Sequence, residues 1–287
     1  MSTKDKLYLN IENKEFYEKN GYVILKNIFT TIEANTFNSK IRRHANKDFA
    51  ALINPDRYDS LFEQDERPKS DLTIDEIKDT SSIARLIMTD KRMIDILDFF
   101  HEKKSVGLSS QFIFKEAHSN YCLQAWKPHQ DNFYPKSKNA AYVTLNWFLK
   151  DADKENGTIF CYPGSHKLGL LPAKDNISFR EKVGDNPGSE CKIPEEFLGK
   201  KKDIIIPGNS IVVLNGNCIH GSYPNTSDRS RPWFSSCYIS DGEEFVIFTI
   251  LDRDTEDYYL YSDKTKILHF STKDHDWPFE AGLNNLN

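Results

Sequence analysis

Apolar residues recur at helical spacing in two stretches of the first third of the chain. Residues 31–46 show this pattern, and either Thr30 or Thr31 at its start is a suitable N-cap. Residues 82–101 repeat the pattern over a longer stretch. Both are predicted to be amphipathic helices with the apolar positions Ile32, Ala34, Phe37, Ile41, Ala45, Ile83, Leu86, Ile87, Met93, Ile94, Ile96, Leu97 and Phe100.

A short helix and a strand are predicted before these helices. Residues 13–21 favour a helix that ends at an Asn-Gly pair, and the apolar run Tyr22–Leu25 favours a strand. Between the two longer helices, residues 48–79 are polar and rich in charge. That segment is predicted to be a loop or a lid.

From Ser105 onward the pattern changes to short apolar or alternating runs that are separated by turn residues. Runs of this length and spacing predict the strands of a β-sandwich or barrel. The charged segment 174–202 interrupts them and is a second candidate lid, whereas the tail from Asp252 is aromatic but irregular. The predicted strands are 111–114, 142–149, 158–162, 203–207, 210–214, 233–239 and 245–248.

These elements predict one domain that spans residues 1–287. Residues 1–104 form a mainly helical N-terminal layer, residues 105–250 form the β core, and residues 251–287 form a C-terminal extension. The sequence shows no internal repeat, no low-complexity tract and no linker that would separate two domains.

Composition and charge narrow the class of protein. Hydrophobic residues make up 38% and charged residues 28% of the chain, a balance typical of soluble globular proteins. The net charge of -5 gives no reason to expect a nucleic-acid partner. Neither a signal sequence nor an apolar run of the roughly 18–20 residues that span a bilayer is visible. The five cysteines are widely spaced and predict free thiols in the cytoplasm.

One group of residues carries recognisable chemistry. His129 and Asp131 form an H-x-D motif, and His220 follows at the end of a later apolar run. Two imidazoles and one carboxylate are the ligand set that binds iron(II) on one face and leaves other positions open. In a strand, residues i and i+2 project from the same face, so His129 and Asp131 are expected to bind one ion together.

Ser222 and Arg231 follow His220 at positions that suit a second task. A hairpin in the turn-rich segment 223–230 is predicted to return Arg231 on the strand beside His220. A guanidinium grips a carboxylate through two parallel hydrogen bonds, which suits an acidic co-substrate. Arg229 is the rival anchor, but it falls within the turn. The alternative interpretation makes both histidines ordinary polar residues and Arg231 a surface charge.

The chain resembles the phytanoyl-CoA hydroxylase-like family of iron(II)/2-oxoglutarate dioxygenases, which includes ectoine hydroxylase. Four segments carry the resemblance in addition to Arg231: Phe16 to Leu25, Pro128 to Asp131, Asn156-Gly157-Thr158 with Pro163 to Lys167, and His220-Gly221-Ser222. The resemblance covers most of the chain. It implies a double-stranded β-helix, or jelly-roll, core.

The resemblance also implies the role of each site residue. His129, Asp131 and His220 would ligate iron(II), and Arg231 and Ser222 would bind the distal carboxylate of 2-oxoglutarate. Gln111 and Thr144 align approximately with further contacts to this co-substrate. O2 is the other co-substrate. Related halogenases replace the carboxylate ligand by a small residue to admit chloride, so the presence of Asp131 favours hydroxylation.

The identity of the substrate is the least determined part of the function. A small polar metabolite or natural-product intermediate is expected ahead of an acyl-CoA. Aromatic residues near the first motif suit either a substrate pocket or core packing, with packing favoured: Trp126, Phe133, Tyr134, Tyr142 and Trp147. Two rival functions stay open, namely a catalytically silent sensor that binds metal or 2-oxoglutarate, and a hydroxylase of peptide side chains.

Overall fold

The computed structural model describes residues 7–44, 51–53, 83–84, 86–101, 104–119, 122–123, 125–133, 135, 137, 141–178, 188–241, 243, 248–251 and 258–261. The helices with assigned bounds are α1 (Ile11–Asn20), α2 (Thr31–His44) and α3 (Lys91–His101). The strands are β1 (Tyr22–Leu25), β2 (Ala51–Ile53), β3 (Ser105–Ile113), β4 (Trp126–His129), β5 (Tyr142–Phe148), β6 (Ile159–Cys161), β7 (Ala173–Ser178), β8 (Gly188–Cys191), β9 (Lys202–Asp203), β10 (Ser210–Asn215), β11 (His220–Ser222), β12 (Trp233–Ser240), β13 (Phe248–Leu251) and β14 (Tyr258–Tyr261).

The start of the chain folds as predicted, because both ends of α1 are capped locally. The side chain of Asn10 accepts a hydrogen bond from the backbone N–H of Asn13 at 2.8 Å. Gly21 ends the helix in the left-handed region at φ 80°, and its N–H donates to the carbonyl of Tyr17. The chain then enters β1, which confirms the predicted helix and strand.

The predicted helix at 82–101 is interrupted at Asp90, whereas the helix predicted at 31–46 is confirmed up to His44. Residues 83–84 and 86–88 are helical, and a new helix, α3, begins at Lys91. The carboxylate of Asp90 accepts the backbone N–H of Arg92 at 2.9 Å. Asp90 is therefore an N-cap, so the prediction of one continuous helix was wrong.

Two antiparallel sheets form the β core. The six-stranded sheet has the order β1-β10-β5-β12-β3-β2, and the four-stranded sheet has the order β4-β11-β6-β9. One cluster of buried residues joins them, since it contains Phe148 and Leu214 of the first sheet and Ile159 and Cys161 of the second. The facing sheets and the helical layer confirm the predicted mainly β fold with a jelly-roll core.

The helices cover the outer face of the six-stranded sheet. β5 is buried at every position, and its successive residues face opposite sides. Val143, Leu145 and Trp147 pack in one cluster with residues of α2 and α3, whereas Phe148 packs between the two sheets. Thr144 alternates with the helix-facing residues, so it faces the space between the sheets.

Trp147 belongs to the core and does not line a pocket. Its ring stacks on Phe37 at a centroid distance of 5.1 Å and lies 4.1 Å from the ring of Phe29. This placement confirms core packing for Trp147 among the aromatic residues near the first motif. Tyr142 is buried as well, and Tyr134 lies outside the described residues.

Three segments that were predicted as loops, a lid or irregular tail contain strands. In the segment 48–79, β2 pairs with β3, and the other residues lie outside the described part. The insertion 174–202 holds most of the β7–β8 hairpin, and in the tail β14 pairs with β13. All three are edge or two-stranded pairings, and their strands of three to six residues are too short or too polar to show the apolar pattern of a central strand. Among the described residues, no helix has the length and apolar character that crossing a membrane requires.

A network of charged residues joins the start of α2 to the start of α3. Thr30 and Glu33 form a capping box, in which the carboxylate of Glu33 accepts the N–H of Thr30 at 2.7 Å. The other carboxylate oxygen of Glu33 lies 2.8 Å from Arg92, which also pairs with Asp90 at 2.8 Å. Burial would raise the pKa of Glu33, but the hydrogen bonds from Arg92 and Thr30 lower it.

We expect Glu33→Gln to lower the free energy of unfolding by about 1–2 kcal/mol at pH 7, because the amide keeps the size of the side chain but loses the charge that faces Arg92. The folded-state pKa of Glu33 is lowered, so this stabilisation is present above the ordinary pKa of about 4.3 and is lost as the pH falls below it. Urea unfolding at pH 7 and at lower pH measures the difference.

Glu15→Gln is the matched control, since Glu15 is an exposed helical residue. An equal loss of stability in the control would contradict the role of Glu33. A difference between wild type and Glu33→Gln that stays constant down to the acid range would contradict the electrostatic cause.

Candidate active site

His129 and His220 lie side by side because β4 and β11 are neighbouring antiparallel strands. The two histidines are directly opposite each other in the register. Their ring centroids are 4.3 Å apart and the rings are inclined by 50°. Directly opposed residues on one face of a sheet bring their side chains into contact, so strand pairing alone places both imidazoles together.

Asp131 reaches the histidines from outside the strand. β4 ends at His129, and Asp131 begins a short 3₁₀-helix, Asp131–Phe133. The expectation that both motif residues project from one strand face was therefore wrong. The turn places one carboxylate oxygen of Asp131 3.6 Å from Nε2 of His129 and 3.5 Å from Nε2 of His220.

The three side chains form a group that could hold a metal ion. Their ligand atoms all lie within 4.8 Å of one another. Both histidines are buried, whereas the side chain of Asp131 keeps 20% of its surface exposed. The carboxylate is therefore the most accessible of the three candidate ligands.

Backbone carbonyls determine which nitrogen of each ring is available for a metal. Nδ1 of His129 lies 2.7 Å from the carbonyl of Lys127, and Nδ1 of His220 lies 3.0 Å from the carbonyl of Cys218. A carbonyl only accepts, so each Nδ1 carries the proton and donates it. Each Nε2 then presents its lone pair toward the centre, as in metal-bound histidines.

The charge states of the three residues also suit a metal ion. Burial would raise the pKa of Asp131, but His220, His129 and a hydrogen bond from Thr144 hold it well below its usual value. Burial lowers the pKa of His220 to about 4. At neutral pH the site therefore offers a charged carboxylate and a neutral imidazole, which are the states that bind metal.

Thr144 lies beside the candidate metal ligands, where it contacts the carboxylate of Asp131. Its hydroxyl donates to the second oxygen of Asp131 at 2.9 Å, which leaves the first oxygen directed at the histidines. Thr144 therefore orients the carboxylate in this structure. Its expected contact with 2-oxoglutarate stays a prediction.

Gln130, between the two motif residues, has a structural task that the sequence did not suggest. Its amide nitrogen donates to the carbonyls of Gly169 and Asn217 at 2.8 and 2.7 Å. Its amide oxygen accepts the N–H of Leu171 at 2.7 Å. Gln130 thus ties the motif to the turn before His220 and to the chain that leads into β7.

Arg231 lies in the interior between the sheets. It is completely buried, and its guanidinium stacks 3.9 Å from the centre of the Trp233 ring. The prediction that Arg231 returns on the strand next to His220 was wrong, because the chain crosses from one sheet to the other between these two residues. Arg231 leads into β12 of the six-stranded sheet, whereas β11 belongs to the four-stranded sheet.

Arg229, the rival anchor, is a surface residue. Its guanidinium lies 2.7 Å from the carboxylate of Asp153 and 3.5 Å from that of Glu155. About half of its side chain is exposed, at 49%. These contacts favour Arg231 as the residue that faces the interior.

A polar strip lies on the inner face of the six-stranded sheet between the histidine–aspartate group and Arg231. In the register, Ser235 of β12 is flanked by Gln111 of β3 and Asn146 of β5. Gln111 is two residues from Ile113, which packs between the sheets, so it faces the same space. Gln111 therefore lies on the inner face, and its contact with 2-oxoglutarate stays a prediction.

Lys115 and Ser222 complete the arginine end of this space. The Lys115 ammonium donates to the hydroxyl of Ser222 at 2.9 Å, and Lys115 is completely buried. Burial, and to a lesser extent the Arg231 guanidinium, lower the pKa of Lys115 well below its usual value. The sequence did not single out Lys115, because the acceptors of its ammonium lie far along the chain.

Comparison with known proteins supports the same chemistry. Residues 17–233, more than half of the 287, match the family described as phytanoyl-CoA dioxygenase (PhyH). The peroxisomal phytanoyl-CoA dioxygenase of Bos taurus is 22% identical over 250 residues, covering 83% of this chain and 71% of that protein.

Two solved structures share the fold. The epimerase SnoN in complex with Fe3+, alpha ketoglutarate and nogalamycin RO has a TM-score of 0.61 at 16% identity, covering 81% of this chain and 84% of its own. EctD from S. alaskensis with 2-oxoglutarate and 5-hydroxyectoine has a TM-score of 0.56 at 16% identity, covering 82% of this chain and 78% of its own. The matched family region contains the three candidate ligands and Arg231, so the chain belongs to the phytanoyl-CoA dioxygenase (PhyH) family of iron- and 2-oxoglutarate-dependent oxygenases.

Proposed function

We propose that the chain is an iron(II)- and 2-oxoglutarate-dependent dioxygenase that hydroxylates an unactivated C–H bond of a small molecule and releases succinate and carbon dioxide. The observation that carries the proposal is the group of His129, Asp131 and His220, whose ligand atoms lie within 4.8 Å of one another. Two imidazole nitrogens and one carboxylate oxygen match the donor set of iron(II) oxygenases.

The protein contributes orientation and enclosure to this reaction. Bound iron(II) would supply the activation of O2 and the oxidation of 2-oxoglutarate, coupled to transfer of one oxygen atom to the substrate. The carbonyls of Lys127 and Cys218 hold the two imidazoles, and the hydroxyl of Thr144 holds the carboxylate of Asp131. With all three ligands held by a second group, the metal geometry is set before substrate enters.

The space between the sheets suits 2-oxoglutarate as the co-substrate. Its 2-oxo acid end would face the metal, and its distal carboxylate would face Arg231 and Ser222. Arg231 is completely buried, where a charge-assisted hydrogen bond is stronger than in water. Gln111 on the polar strip would contact the chain of the co-substrate between the two ends.

Hydroxylation is favoured over halogenation because the carboxylate ligand is present. Asp131 lies 3.5 Å from His220 and 3.6 Å from His129, so a protein oxygen takes the position that a halide would need. The acceptor is proposed to be a small polar metabolite or a natural-product intermediate. EctD and SnoN were solved with small-molecule ligands of this kind, whereas the Bos taurus relative is named for an acyl-CoA, so the order of these two substrate classes is part of the proposal.

A catalytically silent sensor is the second candidate function. It predicts binding of metal or 2-oxoglutarate without turnover. All three candidate ligands and their supporting hydrogen bonds are present, whereas a catalytically silent relative can lose a ligand without penalty. A peptide side-chain hydroxylase would use the same centre with a larger acceptor.

His220→Ala is expected to weaken metal binding by more than about tenfold, because loss of a group that merely supports a ligand already costs that much. His118→Ala is the matched control, since the side chain of His118 is 76% exposed and pairs with the surface residue Asp228. Anaerobic titration of Fe(II), or of Co(II) followed by its visible absorption, measures the affinity. Equal affinity of both variants would contradict the assignment of the ligand.

Addition of 2-oxoglutarate to the iron(II)-loaded protein without oxygen is expected to produce a weak visible charge-transfer band. Arg231→Ala should weaken 2-oxoglutarate binding by about 1.5–3 kcal/mol, the range for one charge-assisted hydrogen bond. Arg229→Ala should leave the affinity unchanged, because Arg229 lies on the surface. If 2-oxoglutarate affinity fell in Arg229→Ala and not in Arg231→Ala, Arg229 would be the residue that binds the distal carboxylate.

Turnover separates the enzyme from the sensor. With O2 present, candidate small molecules and peptides are screened for acceptor-dependent formation of succinate and of a product 16 mass units heavier. A small-molecule acceptor that stimulates succinate formation supports the proposal. Stimulation by peptides alone would favour the peptide hydroxylase, and a charge-transfer band without any turnover would favour the sensor.

A further inference from the structure

Lys115 is a buried lysine in an unusual backbone conformation at the end of β3. It is completely inaccessible to solvent, and its φ angle of 37° lies in the left-handed region that favours glycine. Both features cost free energy, because burial disfavours a charge and the positive φ crowds the side chain. A lysine in this position therefore needs local compensation, and its contacts show where that compensation lies.

The ammonium of Lys115 has an acceptor for each of its three hydrogens. It donates to the hydroxyl of Ser222 at 2.9 Å, to the carbonyl of Gly157 at 3.4 Å and to the carbonyl of Tyr223. With three acceptors on the protein, the ammonium is held in one place. Lys115 is therefore built to act on Ser222 and not to bind a ligand directly.

The contacts of Ser222 determine where its own hydrogen points. Its hydroxyl oxygen accepts from Lys115 and also lies 3.4 Å from the backbone N–H of Trp126. Both lone pairs are thus occupied, so the hydroxyl hydrogen must be donated elsewhere. Ser222 is two residues from His220 in β11 and faces the same interior space. The hydrogen is available to an acceptor between the sheets.

The Asn156-Gly157 turn is shaped around the Lys115 side chain. A Cβ atom at Gly157 would lie 3.1 Å from Cδ of Lys115 and 2.8 Å from the carbonyl of Tyr223. Gly157 also has a φ of 88°, which other residues rarely adopt. This turn is one of the segments that carry the family resemblance, so the fit gives a physical reason for its glycine.

Two cationic side chains share this end of the space. The backbone N–H of Arg231 lies 3.4 Å from the carbonyl of Lys115. Lys115 lies 5.3 Å over the ring of Trp126, and Arg231 lies 3.9 Å over the ring of Trp233. The two tryptophan rings are 6.5 Å apart, so one aromatic pair supports both cations. An anionic group here would be attracted by the Arg231 guanidinium, and its charge would favour the protonated form of Lys115 against the effects of burial and of Arg231.

We propose that Lys115 is a positioning residue for the distal carboxylate of 2-oxoglutarate: as an ammonium it fixes the Ser222 hydroxyl as a donor toward that carboxylate, and the bound carboxylate in turn favours the charged form of Lys115 beside Arg231. This inference rests on the proposed function, because it concerns the same co-substrate. It predicts that Lys115 makes the site bind a 2-oxo acid with a distal carboxylate more tightly than one without a distal charge.

The test compares two 2-oxo acids on the iron(II)-loaded protein without oxygen. 2-Oxoglutarate and 2-oxopentanoate have chains of the same length, but only the first carries a distal carboxylate. Lys115→Met is expected to weaken 2-oxoglutarate binding by about tenfold or more, which is the loss of one hydrogen bond to a charged group. Binding of 2-oxopentanoate should change by less than about twofold. The charge-transfer band gives both affinities.

Lys91→Met is the control for removal of a lysine charge, since the side chain of Lys91 is 57% exposed in α3 and pairs with Asp95. It should change neither affinity. An equal loss for both acids in Lys115→Met would mean a general structural role and would overturn the proposal. Unchanged 2-oxoglutarate affinity in that variant would also overturn it.

Ser222→Ala keeps the proposal testable if Lys115→Met does not fold. Because Lys115 acts through the hydroxyl, Ser222→Ala should show the same selective loss of 2-oxoglutarate, and the double variant should lose less than the two single losses combined. Full 2-oxoglutarate affinity in Ser222→Ala would refute the role of Lys115. A wild-type protein that gives no band with either acid would instead refute the proposed function, and with it this inference.

Discussion

The pairing of β4 with β11 is the interaction on which the rest of the site depends. It places His129 directly opposite His220. Each ring is then oriented by the backbone carbonyl of the residue two positions earlier in the sequence. The orientation of each imidazole is therefore local, and the fold has only to bring the two strands together. Any slip of the register by one residue would turn one histidine to the opposite face and would separate the rings.

The helical layer makes a polar interior possible. It covers the outer face of the six-stranded sheet, so Val143, Leu145 and Trp147 supply apolar burial on that side. The alternate residues of the same strand can then be polar while the sheet keeps an apolar core on its outer face. Thr144 is one of these residues, and its hydroxyl holds the carboxylate of Asp131. The N-terminal third therefore contributes to the chemistry indirectly, since it stabilises a sheet whose inner face is partly polar.

Sequence patterns predicted the elements with strong periodicity and the residues with distinctive chemistry. The strand signal of β5 and the histidines of the motif are of this kind. The position of Asp131 in a turn was missed because an H-x-D spacing is compatible with a strand as well. Lys115 was missed because its acceptors Gly157 and Ser222 lie 42 and 107 residues away, a distance over which a single sequence carries no pairing signal. The edge strand β2 was missed because three residues, Ala51–Ile53, are too few to show a periodic pattern within a charged segment.

The two ends of the inner space differ in chemistry, and this difference can orient a ligand. One end offers two imidazoles with a carboxylate, and the other offers the buried basic side chains of Lys115 and Arg231 on tryptophan rings. A dicarboxylate with a 2-oxo group has one end that chelates a metal and one that only carries charge. The reversed orientation would leave the chelating end without a metal and would bring the plain carboxylate close to Asp131. Because such mismatches are expensive among buried groups, we expect the space to favour one orientation of 2-oxoglutarate, with its distal carboxylate at the Lys115 and Arg231 end, remote from the metal.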